Sequence, residues 1–282
     1  MNHAAFSAER SFIERSARDR VRALLDPGPS RELLGPFDRI ESPWLERQGV
    51  TPQADDGCVV CKGTIAGRAA VVVAIEGAFQ GGSIGEVSGA KMAAALELAA
   101  RDGERGRPTA AVLLIESGGV RLQEANLGLA AVADVIAALL RLRRLAPVVA
   151  VTAGTVGCFG GMSLVAGLAS YLVMTREARL GMNGPEVIEQ EAGVDELDAS
   201  DRALIWAIDG GEQRRAMGLV DALVPDDAAR IAASVRELIA RGVPESFRSR
   251  EVNAMRSRIA RVDPACRDPR TLRAIWTSQE TS

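Results

Sequence analysis

The stretch that decides the fold is Ala110 to Arg121, AAVLLIESGGVR. Its apolar run, bounded by a Ser-Gly-Gly turn, reads as a buried strand, and the amphipathic stretch behind it reads as a helix. A second segment of the same kind follows at Val148 to Ser163, VVAVTAGTVGCFGGMS. Glycine pairs at the ends of strands permit positive φ and let a ligand approach the main chain. A helix starting there leaves its first N–H groups without intrahelical partners and carries a partial positive charge. Two such turns side by side can aim two N–H donors at one oxygen, the arrangement that stabilises an enolate or a tetrahedral oxyanion.

Composition narrows the field. The chain has 282 residues, 47% hydrophobic and 25% charged, enough to bury a large core. Its alanine-rich runs and 28 glycines suit closely packed helices. A net charge of -3 gives no general attraction for nucleic acid. No apolar stretch approaches the roughly 20 residues of a membrane span, and MNHAAFSAERSFIERSARDR lacks the pattern of a secretory signal, so the expected location is the cytoplasm. With four cysteines, a disulfide framework is not expected. The sole histidine is His3, which excludes a Ser-His-Asp triad, a Cys-His dyad and a histidine-rich metal site. Cys58 and Cys61 form CVVC, but no second pair stands at ligand spacing, so no metal is expected.

Read in order, Phe6 to Leu25 carries a helical pattern that Asp26 to Pro29 ends, and Arg31 to Asp56 reads as an irregular wrapping segment. Val59 to Ile65 and Ala69 to Ile75 read as a hairpin around Ala66, Gly67 and Arg68. Glu76 to Gly89, EGAFQGGSIGEVSG, is a third glycine-dense turn before a helix over Ala90 to Ala100, and its Gly81 and Gly82 serve equally for close packing or for covering a ligand. Helices are predicted over Leu122 to Leu145, Met162 to Ala169, Asp198 to Ile208, Glu212 to Met217, Asp226 to Arg241 and Arg248 to Arg261, with strands at Tyr171 to Thr175 and Gly218 to Val224. Pro185 sits at the first turn of another helix. This alternation indicates an α/β fold. The expected organisation is an N-terminal helix and wrapping segment over 1–56, a central domain over 57–245, and a C-terminal helix and tail over 246–282.

The motifs AFQGGSIGEVSGAKM, IESGGVRLQEA, AGTVGCFGGMSLVAG, GMNGPEVIE and MGLVDALV occur in an order that resembles the carboxyltransferase β subunits, a branch of the crotonase superfamily. GPEVIE followed by ELDASDRALIW is most similar to the β subunits of biotin-independent malonate decarboxylases. The single CVVC departs from the four-cysteine zinc ribbon of bacterial acetyl-CoA carboxylase β subunits. The resemblance implies a crotonase-like β-β-α superhelix with a mostly parallel sheet and surrounding helices. It implies a γ subunit of related fold, and an acyl carrier protein whose CoA-like prosthetic group presents a malonyl thioester. No cofactor is expected on this chain itself, and biotin is not expected.

Decarboxylation of a malonyl thioester leaves a thioester enolate, whose oxygen needs donors and no histidine. The resemblance carries those donors to the turns at Gly118 and Gly119 and at Gly160 and Gly161, with Gly157 beside them, and places the pantetheine arm near Gly81 and Gly82. Arg121 and Glu124 are spaced to pair as i,i+3 neighbours and hold the turn, with steering of the malonyl carboxylate the alternative for Arg121. Two other functions stay open. One is a carboxyltransferase subunit moving the carboxyl group between an acyl thioester and biotin, as in acetyl-CoA carboxylase. The other is a non-catalytic scaffold.

Overall fold

The structure is a computed structural model and describes residues 10–49, 51 and 57–278; His3 and Phe6 lie outside these. One seven-stranded sheet runs in chain order from β1 to β7. The strands are β1 (Arg31–Leu33), β2 (Cys58–Ile65), β3 (Arg68–Ile75), β4 (Ala110–Leu114), β5 (Val148–Thr152), β6 (Tyr171–Thr175) and β7 (Ala222–Val224). β1, β2 and β3 pair antiparallel, and from β3 to β7 each neighbour is parallel. The sheet is α/β and mostly parallel, as the sequence indicates.

Period-2 alternation divides the strand residues between two cores. Val71, Val73, Leu113 and Ile115 face one side, and Val72, Ala74, Val112 and Leu114 face the other. The first face is covered by α2 (Glu86–Glu104), α3 (Leu127–Leu142) and α4 (Gly161–Leu168). The second is covered by α1 (Ala17–Leu24) and, much later in the chain, by the helix Ala228–Arg241. A parallel sheet buried on both faces accounts for the almost uninterrupted apolar text of β4 and β5. Small residues let α2 and α3 lie close: a side chain on Gly89 would collide with Ala131.

The remaining helices are α5 (Pro185–Ala192), α6 (Arg202–Asp209) and α7 (Gly211–Ala216), then α8, the sheet-covering helix Ala228–Arg241, then α9 (Val252–Ala260) and α10 (Pro269–Thr277). Sequence periodicity does not predict α10. Its N-terminus is held by Asp268, whose carboxylate accepts from the Thr271 N–H at 2.9 Å.

Two expected helices change. Over the described residues 11–25 the expected helix narrows to α1, capped where the Ser16 hydroxyl accepts from the Asp19 N–H (3.2 Å), with 11–15 running as an irregular strap. The helix expected over Leu122 to Leu145 divides into a 3-10 turn, Leu122–Glu124, and α3, with Ala125 between them at φ 51°. The break follows from Glu124. Its buried carboxylate turns away to accept the Glu86 N–H (2.7 Å) and so caps α2, which starts four residues before the expected Ala90. A single uninterrupted helix would not leave the backbone free to deliver that side chain.

Candidate functional site

Three loops meet beyond the C-terminal ends of β3, β4 and β5. They are tied by main-chain bonds: the Gly118 N–H donates to Gly81 O (2.9 Å), the Ser117 N–H to Gly157 O (2.8 Å), and the Phe159 N–H to Ser117 O (2.9 Å). The two glycine turns that the sequence singles out therefore touch. A Cβ on Gly160 would stand 3.0 Å from Gly119 Cα and 3.9 Å from the Val120 nitrogen. Gly119 has φ +126° and Gly160 φ +58°, backbone that glycine adopts at little cost. Only the second turn leads directly into a helix, since α4 starts at Gly161 whereas α3 starts eight residues after Gly119.

The donors differ in availability. The N–H of Gly118 is used by Gly81 O, that of Gly160 by Met182 O (2.8 Å), and that of Gly119 meets the Ser117 hydroxyl (3.2 Å). The N–H groups of Val120 and Gly161, one residue further along each turn, have no acceptor among the described residues. Of the donor positions that the sequence names, Gly161 keeps an open N–H, whereas on the first turn the open group is that of Val120, one residue beyond Gly119. Gly157 has φ +87°, and a Cβ on it would crowd the Phe159 ring and the Arg179 carbonyl, so the second loop packs closely at this point.

Gly81 and Gly82 divide in role. Gly82 is buried, and a Cβ on it would overlap the Glu116 carbonyl oxygen, so this glycine allows two loops to pack. Gly81 is exposed and has open space where a Cβ would be. Arg121 and Glu124 are both buried and pair at 2.7 Å. Arg121 also donates to the Ser83 carbonyl at 3.0 Å and to the Ser83 hydroxyl at 3.3 Å, and lies over the Phe79 ring. Both residues line a cavity of about 630 Å³ together with Ser42, Leu45, Gln80 and Val120. The segment that the sequence shows as irregular and wrapping thus supplies one wall, through Ser42 and Leu45.

Cys61 and Cys158 are poorly placed to act as thiolates. Cys158 lies under the second turn, and burial pushes its thiol up to about 12, so it stays protonated. Half-burial pushes Cys61 up to about 11. Among the described residues no group of three His, Cys, Asp or Glu side chains could hold a metal ion. Sequence reasoning missed Glu116. It is quoted in IESGGVR as the end of a strand, yet it is buried and ion-paired with Arg20.

Residues 14–270 match the family model of the carboxyl transferase domain, and the chain belongs to this family. Among its relatives is the malonyl-S-ACP:biotin-protein carboxyltransferase MADC of Malonomonas rubra, 40% identical over 258 residues that span 88% of this chain and 81% of that protein. A subunit in the crystal structure of a Pseudomonas malonate decarboxylase hetero-tetramer in complex with malonate superposes with a TM-score of 0.92 at 57% identity. That match covers 97% of this chain and all of the other. A chain of the Pseudomonas malonate decarboxylase MdcD-MdcE hetero-dimer gives a TM-score of 0.76 at 53% identity, covering 90% and 98%.

Proposed function

We propose that this chain is the β subunit of a malonate decarboxylase and converts a malonyl thioester on an acyl carrier protein to an acetyl thioester and CO2. In this reaction the bond between the carboxylate carbon and the methylene carbon breaks. Its electron pair moves toward the thioester carbonyl, the negative charge collects on that oxygen, and the methylene carbon then takes up a proton. The observation that carries the reading is the contact of the Gly119 and Gly160 turns, with the N–H groups of Val120 and Gly161 open beside it. Donors fixed in place before charge develops lower the barrier without reorganisation. Gly81, at the exposed side of the first turn, is where the pantetheine arm of the carrier's prosthetic group would pass. Arg121, committed to Glu124 and Ser83, shapes the cavity wall.

Large apolar residues close in sequence or bonding to the two turns reach solvent. Leu122 is 81% exposed, Leu129 55%, Met182 54% and Leu164 46%. They follow the two turns or, like Met182, bond to them, and this face supports docking of a γ subunit of related fold. We place the catalytic unit at 57–245, with 1–56 and 246–282 as flanking segments, and the complex in the cytoplasm. Among the described residues no helix is long and apolar enough to cross a membrane.

Carboxyl transfer to biotin is the second reading, favoured by the activity in the name of the Malonomonas relative. Both reactions pass through the same enolate. CO2 release from malonyl thioester is to be measured on the chain with and without its γ partner and with avidin as a biotin trap. Turnover that needs the partner and ignores avidin is the expected result. Loss of turnover with avidin would transfer the assignment to the biotin reading, and no turnover in any combination would leave a scaffold.

A further inference from the structure

Glu116 is a buried carboxylate that the chemistry above does not use. It stands between Ile115, the last core residue of the β4 run, and Ser117 of the first turn. Its Oε1 accepts the Val156 N–H at 3.1 Å, and its Oε2 accepts from Arg20. Two glycines make room for it: a Cβ on Gly154 would overlap the carboxylate, and a Cβ on Gly77 would stand 2.9 Å from its Cγ. The carboxylate is therefore wedged among the loops that follow β3, β4 and β5.

Arg20 carries this wedge outward. Its Nε donates to Phe12 O (3.1 Å) and its Nη2 to Ile13 O (2.7 Å). The same strap is fixed at its far side, where the Asp226 carboxylate accepts the N–H groups of Phe12 (2.7 Å) and Ile13 (3.0 Å), one residue before the N-cap of α8. A buried ion pair is a weak source of stability compared with a well-packed apolar pair of the same volume. An apolar pair, however, could not accept the Val156 N–H and so could not set the loop that ends in Gly157 and Gly160.

We propose that Glu116, held by Arg20 and the strap at 11–15, is a positioning residue: it fixes the second turn in register with the first, so that Val120 and Gly161 address the same oxygen. The kinetic part rests on the decarboxylase reading; the exchange part does not. A misplacement of about 1 Å at a reacting centre can cost on the order of 100-fold in rate. The test compares two double variants in the assembled complex. R20M/E116L removes the charges and the acceptor for Val156; R20M/E116Q removes the charges and keeps an acceptor.

For the Leu variant, kcat is expected to fall roughly 10- to 100-fold with KM nearly unchanged. Amide exchange at Val156 and through 157–161 should quicken, and the Gln variant should recover most of both. Equal kcat values and unchanged exchange in the two variants would overturn the proposal, as would a loss of kcat that the Gln variant does not rescue. Should either double variant fail to fold, Asp226→Ala removes the acceptor of the Phe12 and Ile13 N–H groups and so loosens the strap at its far side. Faster exchange at Val156 would then support the brace, and unchanged exchange would sink it. Wild-type complex without turnover would count against the decarboxylase reading alone, since the exchange comparison needs no substrate.

Discussion

Gly160 concentrates the constraints of the site. Its φ of +58° and its contact with Gly119 leave no room for a side chain. Gly160→Ala is expected to lower kcat by about 100- to 1,000-fold, the usual loss when one oxyanion donor is displaced, while the complex still assembles. CO2 release and sedimentation together check this. Cys158 gives a second expectation: because burial holds its thiol protonated, an alkylating reagent should modify it only after denaturation, as read by mass spectrometry. The residue scale was partly legible. Glycine pairs behind apolar runs drew attention to both turns, whereas Glu116 stayed hidden because its partners are 96 and 40 positions away.

Among the elements, the β2–β3 hairpin carries an identifiable cost. Its two-residue turn, Ala66 and Gly67, has φ +51° and +72°, and the Asp26 carboxylate accepts both N–H groups at 2.9 and 2.8 Å. A non-glycine residue in left-handed backbone costs roughly 1–2 kcal/mol, so Ala66→Gly should stabilise the chain by about 1 kcal/mol in a urea titration. At the start of α8, Asp227 is held below the ordinary carboxylate value of 3.8 by the Arg230 N–H and by Arg10. A group with a lowered folded pKa stabilises above its unfolded value, and that contribution is lost as pH falls through the folded one. Urea midpoints followed from about pH 5 to about pH 2 should therefore drop less steeply in Asp227→Asn than in the parent chain. Periodicity located α8 to within two residues, but it ran α3 through the 3-10 turn, since apolar spacing carries no sign that Glu124 caps another helix.

For the whole molecule, the exposed leucines near the two turns belong to an assembly rather than to the isolated chain. L122D/L164D should leave the chain's own stability unchanged, because both residues face solvent, and weaken γ-subunit binding at least about 10-fold, as loss of a buried interface anchor does. Equal affinity in sedimentation or calorimetry would place the partner on another face. The parallel strands lie each next to its predecessor, joined by helical crossovers; α/β alternation in the text indicated the fold class, while the strand order and β1, inside the segment read as irregular, came from the tertiary structure.

The sequence by itself determined the α/β class, the hairpin, the buried strands and the glycine turns, because each is written in local periodicity and in residues that tolerate positive φ. It also carried the family resemblance that the carboxyl transferase match bears out. The tertiary structure alone decided which N–H groups are open, how Gly81 differs from Gly82, and that the strap at 11–15 reaches the site through Arg20. Those features depend on contacts between loops far apart in the chain, where a hydrogen bond to one neighbour removes a donor from chemistry and leaves the next one free.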